Sequence, residues 1–506
     1  MNSQSRHNKR GFFLRQDFVR PFFLGVMAFI LWLLLPETQY RASRPLPDDP
    51  ELMRQVPGFL FHQEDLPVFS DREKSLAQLG KQIFFDPRFS ANGEISCATC
   101  HVPEKSFSDG RPTAQGLGTG ARKTPALINV FAGSWFFWDG RADSLAAQAL
   151  GPVEHPAEHG VSRLHIVRMI RSHYQAQFRE LFPDFPEPDL SQLPQHAMPP
   201  RGEHPDVSAK IAMYTLASID GFSIQDQLLK EADREKKPLR KVIAAATDPR
   251  PKTPEAWAAA WLAMPEELRQ DINKIFQMFG EALAEYERGL LAIDSPFDRF
   301  ASQIAEGASP AAALGPGFGE EELMGLRIFL GPGSCQNCHF GPTFSNQQFH
   351  NIGLPAPANN PSGFPDAGRS VGVMLAQNSP FRCETNWTSE RWKKGTACDE
   401  LPLLDTETLE NVGAFKTPTL RNVGRRAPYG HDGRFSDLKG ILKYYNELPG
   451  DPLIGHREET LEALRLSAKE MNALEAFLNS LSSPVIDSLT AQEATSPLVA
   501  KDSGQG

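Results

Sequence analysis

Apolar residues are arranged along this chain in three ways. From Pro21 to Leu35 (PFFLGVMAFILWLLL) they run without interruption for fifteen residues. Further on they recur at helical spacing. Leu76, Leu79 and Ile83 share one face of a segment starting at Asp71 (DREKSLAQLGKQIFF). Ile272, Ile275, Phe276, Phe279, Leu283, Tyr286 and Leu290 share another, behind the helix start Pro265-Glu266-Glu267. Met471, Leu474, Phe477, Leu478 and Leu481 form a third stripe, behind the capping box Ser467-x-x-Glu470. Elsewhere the pattern breaks down. Residues 37–70 are rich in proline and read as an extended tether, and 183–262 read as a Pro-rich insertion. The Gly/Pro/Ala stretch 306–320 marks a boundary, and the end from 485 is polar. Period-two alternation is almost absent, so the chain is expected to be mainly α with long loops and little β. No internal repeat is expected beyond the two cysteine-bearing segments described below.

Charge gives the apolar run at the start its meaning. His7, Lys9, Arg10, Arg15 and Arg20 precede it. A basic start (1–20) followed by an apolar segment (21–36) reads as a signal anchor or a signal peptide. The run is a little short of the roughly 18 residues of a spanning helix, yet no small-x-small cleavage site follows, which favours the anchor. Either way the body of the chain is expected in the periplasm, attached there to the inner membrane if the segment is kept. The formal net charge of −10 argues against a nucleic-acid partner.

Four of the six cysteines lie in Cys97-Ala98-Thr99-Cys100-His101 and Cys335-Gln336-Asn337-Cys338-His339. In CxxCH, two thiols add to the vinyl groups of a haem and the adjacent His sits beneath the iron. Two such motifs predict two covalently bound haem c groups, one in a domain over 71–305 and one over 320–484. The competing reading is a four-thiolate zinc site from Cys97, Cys100, Cys335 and Cys338. Its spacing, 335 − 100 = 235 residues, is far from a compact zinc ribbon. The remaining pair, Cys383 and Cys398, is expected to form a disulfide in an exported protein.

Around these motifs the chain resembles bacterial dihaem cytochrome c peroxidases and the related MauG enzymes. The resemblance rests on LGKQIFFDPRFSANGEISCATCH (79–101), FWDGRADSLAAQALGPVEHPAEHG (137–160), GLRIFLGPGSCQNCHFGPTFSNQQFHNIGLP (325–355) and FKTPTLRNVGRRAPYGHDGRFSDLKGILKYYN (415–446). It implies two cytochrome c-like domains and hydrogen peroxide as substrate at the first haem. It carries the distal residues onto Gln148, Pro152 and Glu158, with Glu158 as the proton-transferring carboxylate and Trp138 as an electron relay between the haems. His155 and His159 nearby read as surface residues.

Three departures from that pattern define the expected subtype. Leu117 falls where the standard peroxidases place a distal His, so the His101 iron is expected to be open. Tyr445 falls fourteen residues after His431, where they place a Met; a Tyr there is the MauG pattern, and Tyr444 is an alternative. Lys123 falls where an Asn helps to hold calcium near Arg426 and Pro428, which argues against calcium. The resemblance thus implies an external electron donor, either a protein substrate oxidised on its side chains or a small cytochrome. A non-enzymatic electron carrier is the remaining rival.

Overall fold

The computed structural model describes residues 49–200, 254–354 and 366–487, apart from positions 192, 394, 406, 407, 451 and 453. The apolar run 21–35, the first part of the tether, the stretch 201–253 and the tail from 488 lie outside these residues.

Helices form where stripe and cap coincide. The tether is not extended throughout: α1 (Pro50–Gln55) is capped by Asp49. Next come α2 (Asp71–Phe84), opened by a Ser70–Glu73 capping box, and α3 (Leu145–Leu150), capped by Ser144. The long α4 (Glu266–Arg288) is followed by α5 (Pro296–Ala305) and α6 (Glu320–Leu330). Last are α7 (Leu438–Glu447), capped by Asp437, and α8 (Ala468–Ser480), with the anticipated Ser467–Glu470 box. Sheet is confined to two-residue strands: β1 (Leu290–Leu291), β2 (Phe349–His350), β3 (Phe415–Lys416) and β4 (Ile486–Asp487). β1 pairs antiparallel with β4, and β2 with β3. The fold is mainly α, as expected.

Two hydrophobic cores organise these elements. In the first, α2 crosses α4, and a Cβ at Gly80 would collide with the Ala282 carbonyl. In the second, α6 crosses α8, and a Cβ at Gly325 would collide with the Ala473 carbonyl. Glycine at each crossing lets the backbones touch. The second core also takes Leu52, Val56 and Phe59, and Phe297, Phe300 and Ile304 of α5. Apolar side chains near the tether and boundary found a core that composition alone did not reveal.

The repeat also runs beyond the cysteine motifs. From Lys123 to Pro152 each position matches one 293 residues later, since 123 + 293 = 416 and 152 + 293 = 445. Lys-Thr-Pro begins both copies. Asn129 and Asn422 both take positive φ, 54° and 56°. Bridges Phe136–Ala142 and Tyr429–Phe435 close equivalent loops, around Asp139-Gly140-Arg141 and Asp432-Gly433-Arg434, whose glycines have φ of 66° and 64°. In each loop the Asp carboxylate accepts from its Arg. Ser144 and Asp437 then cap α3 and α7. Substitution has erased most other identities, so the copies match in backbone devices more than in letters.

Part of the second cysteine-bearing half returns to the first. Cys383 and Cys398 form the expected disulfide. Phe381 enters the first core, and the Cys383 amide donates to Asp143 at 2.8 Å.

Candidate active site

Each CxxCH motif is built the same way. Cys97–Cys100 forms one helical turn, and the His101 amide donates to the Cys97 carbonyl at 2.9 Å. The His339 amide donates to the Cys335 carbonyl at 2.8 Å. His101 Nδ1 then meets the Phe107 carbonyl at 2.9 Å, and His339 Nδ1 meets the Phe344 carbonyl at 2.8 Å. A carbonyl only accepts, so Nδ1 carries the proton and Nε2 keeps its lone pair for a metal. Phe107 and Phe344 both adopt positive φ, 55° and 51°, to aim those carbonyls. Ser108 and Ser345 tie the same loops to the Thr124 and Thr417 carbonyls at 2.9 and 2.7 Å. Burial lowers the pKa of both histidines, His339 to about 4, so both are neutral near pH 7.

The four motif thiols are unpaired. Burial raises them all, Cys100 to about 11 and Cys335 to about 12. No cluster of three or more His, Cys, Asp or Glu able to hold a metal occurs among the described residues. The two cysteine pairs therefore do not converge, and the four-thiolate zinc reading fails. Paired thiols beside a metal-ready imidazole, one set in each half, are the donor set that covalent haem requires.

Of the residues expected in the first half, Gln148 lies on α3, and Pro152 and Glu158 lie in the segment after it. Gln148 on α3 is 7% exposed and its Oε1 has no partner; such an orphaned acceptor suits a pocket awaiting a ligand. Glu158 lies close enough for its charge to act on both Cys100 and His101. Its backbone is pinned on both sides: its amide donates to the His155 carbonyl and its carbonyl accepts from Leu117. Leu117 thus sits against Glu158. The Cys100 thiol reaches the Gln115 carbonyl of that same loop. The Pro152 carbonyl accepts from the amides of both His155 and His159. His155 Nδ1 stands 3.6 Å from Glu158 Oε1. His159 is not a surface residue: it is 5% exposed, because the Phe89 segment, 70 residues earlier in the chain, folds against it, and its Nδ1 meets the Phe89 carbonyl at 3.1 Å.

In the second half, the two candidate tyrosines separate. Tyr444 Oη donates to the Ile352 carbonyl at 2.7 Å. Tyr445 lies beside Cys335 and Cys338, and burial pushes its phenol well above the usual range. Neighbours on a helix diverge by about 100°, so only one of the pair faces the cysteines. Its counterpart in the repeat is Pro152.

Trp138 joins the halves. Its Nε1 donates to the Lys123 carbonyl at 2.9 Å, and its own carbonyl accepts from the Lys416 amide at 2.8 Å. Its ring lies 6.5 Å from that of His431, its counterpart in the repeat, which stacks on Phe415 at 3.7 Å. Lys123 is buried, and its amide donates to the His431 carbonyl. Sequence reasoning missed Glu287, which is 3% exposed beside Cys97. One of its oxygens has no partner, and burial raises its pKa to about 8. The signal for it was a carboxylate at the buried end of the most periodic helix. Lys416 was missed as well.

Comparison with known proteins agrees with this geometry. A family model described as di-haem cytochrome c peroxidase matches residues 74–234. The chain is 27% identical over 407 residues to the methylamine utilization protein MauG of Methylorubrum extorquens, covering 80% of this chain and 77% of that one. It is 25% identical over 419 residues to the cytochrome-c peroxidase IdrP2 of Denitromonas iodatirespirans, covering 82% and 84%. Among solved structures it is similar to a MauG-like protein associated with microbial copper homeostasis, at 20% identity and a TM-score of 0.49, covering 84% and 94%.

Proposed function

We propose that this chain, which belongs to the dihaem cytochrome c peroxidase and MauG family, consumes hydrogen peroxide at a haem held by His101 and passes the oxidising equivalents by Trp138 to a haem held by His339 and Tyr445, and thence to a side chain of a partner protein. The observation that carries this reading is the inequality of two otherwise matched halves. The repeat sets Pro152 where the other copy has Tyr445. A proline has no donor atom to give an iron; a phenol has one, and favours the oxidised metal.

When bound, haem supplies the iron at which peroxide is reduced and the second centre through which the equivalents leave. The chain supplies the rest. Glu158 takes a proton from the peroxide and returns it to the departing oxygen. The free Gln148 Oε1 accepts a hydrogen bond from the bound molecule and orients it. Leu117, apolar and backed by Glu158, offers no ligand to block the site. The Trp138 indole Nε1 is held by the Lys123 carbonyl and its backbone carbonyl by the Lys416 amide, from opposite copies of the repeat, which fixes the indole between them. The Cys383–Cys398 disulfide supports a periplasmic location.

Ferric EPR before and after peroxide tests the reading, together with a steady-state assay using reduced cytochrome c. One high-spin and one low-spin haem, with slow turnover of the cytochrome, are expected. Two low-spin haems indifferent to peroxide would refute it. Rapid peroxide reduction with cytochrome c would instead make the chain a detoxifying peroxidase, the activity carried in the name of the second relative.

A further inference from the structure

The seam around Trp138 holds three cations, none of them ion-paired with a carboxylate among the described residues. Lys123 and Lys416 occupy equivalent places in the repeat. Lys123 Nζ donates to Ser108 Oγ at 3.3 Å, one residue beyond the carbonyl that holds His101. Lys416 Nζ donates to Gln347 Oε1 at 3.1 Å, three residues beyond the carbonyl that holds His339. Each lysine thus reaches the ligand loop of its own half. Arg426 stands by both, and its charge acts on each. One of its Nη atoms donates to the Thr419 carbonyl, while its buried Nε has no partner.

None of the three is ion-paired with a carboxylate among the described residues. Asp109 is the one acid whose charge acts on Lys123, and it already accepts from Thr124 at 2.7 Å. Burial and mutual repulsion lower both lysines to about 8. A cluster of like charges withdrawn from water is stable only beside an anion. It also repels any further cation. The anion belongs where the two ligand loops face each other, and haem carries carboxylates of its own.

We propose that Lys123, Lys416 and Arg426 form a seat for the haem propionate carboxylates at the junction of the two halves, doing there the work of a bound divalent cation. The proposal rests on the dihaem reading above. It also gives Trp138 its electrostatic setting: with the seat neutralised, positive charge on the indole is no longer opposed by three neighbours.

The test uses the full-length dihaem protein, with haem counted by pyridine haemochrome. Midpoint potentials of both haems and the resonance Raman propionate bands are compared among wild type, Lys123→Met, Lys416→Met and Lys416→Arg. Removing positive charge should lower the potentials, more at the His101 haem for Lys123→Met and more at the His339 haem for Lys416→Met. The propionate bands should shift in both, and Lys416→Arg should restore them. Wild type should contain no stoichiometric calcium, and a calcium chelator should leave its potentials unmoved. Unchanged potentials and bands in both Met variants would overturn the seat. So would stoichiometric calcium, or wild-type potentials that respond to inorganic phosphate at fixed ionic strength, which would assign the seat to a free anion. These wild-type measurements hold even if a variant fails to fold. A purified chain without two covalent haems would instead overturn the dihaem premise itself.

Discussion

Glu158→Gln separates a catalytic carboxylate from a solvated one. The change replaces one oxygen by an amide nitrogen and leaves the shape alone. The backbone at 158 is held by the His155 carbonyl on one side and the Leu117 amide on the other, and neither bond involves the side chain. The side-chain contact at stake is with His155 Nδ1 at 3.6 Å, both side chains being about a quarter exposed, at 24% and 28%. Solvent-screened pairs of this kind contribute less than about 1 kcal/mol, so stability should barely change. A proton-transferring carboxylate contributes about 10²–10⁴-fold in rate. At about 1.4 kcal/mol per decade that is roughly 3–5 kcal/mol of barrier, several times the structural effect. Stopped-flow mixing of the ferric dihaem protein with peroxide measures it directly. The variant should keep both haems and its ferric spectrum, and react at least about a hundredfold more slowly. A rate within about threefold of wild type, with both haems attached, would remove Glu158 from the chemistry. His155→Ala then serves as the control, with a loss well short of that.

Three further outcomes follow from particular contacts. Tyr445→Phe should abolish the low-spin ferric signal of the second haem with both haems attached, whereas Tyr444→Phe, which loses its bond to the Ile352 carbonyl, should preserve it; the reverse would exchange the two assignments. Burial raises the Asp143 carboxyl to about 6, above the roughly 3.9 of an unfolded chain, so the folded state binds that proton more tightly. The stability this lends is full below about pH 4 and is lost as pH rises through 6, some 2–3 kcal/mol in all. Asp143→Asn should therefore match wild type in urea unfolding at about pH 4 and exceed it by that amount at about pH 7.5, and an equal difference at both would contradict the argument. Arg163 is 1% exposed, paired with Glu154 at 2.9 Å and within reach of the rings of Trp261, Phe276 and Phe381. Arg163→Met should cost about 1–3 kcal/mol in the same assay, because it removes the charged pair with Glu154 and the hydrogen bond to Asn273; a loss below about 0.5 kcal/mol would contradict the argument.

Much of this molecule is written in short windows. CxxCH fixes where two thiols and an imidazole stand, because four bonded neighbours set that geometry alone. The Ser70–Glu73 and Ser467–Glu470 boxes open their helices where expected, because a cap satisfies amides within one turn. The stripe from Ile272 to Tyr286 became the buried face of α4 for the same local reason, while Leu290, beyond the helix end, pairs in β1.

Long-range packing decided the rest. Adjacent letters could not tell Tyr444 from Tyr445; the Ile352 carbonyl, 92 residues away, took the first and left the second beside the cysteines. His159 read as a surface residue, and the Phe89 segment, 70 residues away in the chain, takes it out of water. α5 and the end of the tether joined the second core because only there could Phe59, Phe297 and Phe300 be covered together. Nothing adjacent in the sequence marked Lys416 as the partner of Lys123, and the repeat that pairs them keeps its backbone while changing its letters. Sequence by itself determined the pieces whose free energy is local: caps, stripes and the cysteine–histidine turns. Tertiary structure alone decided which side chains lose water and which charges must share one space, since desolvation and Coulomb energy depend on neighbours that the chain brings together only by folding.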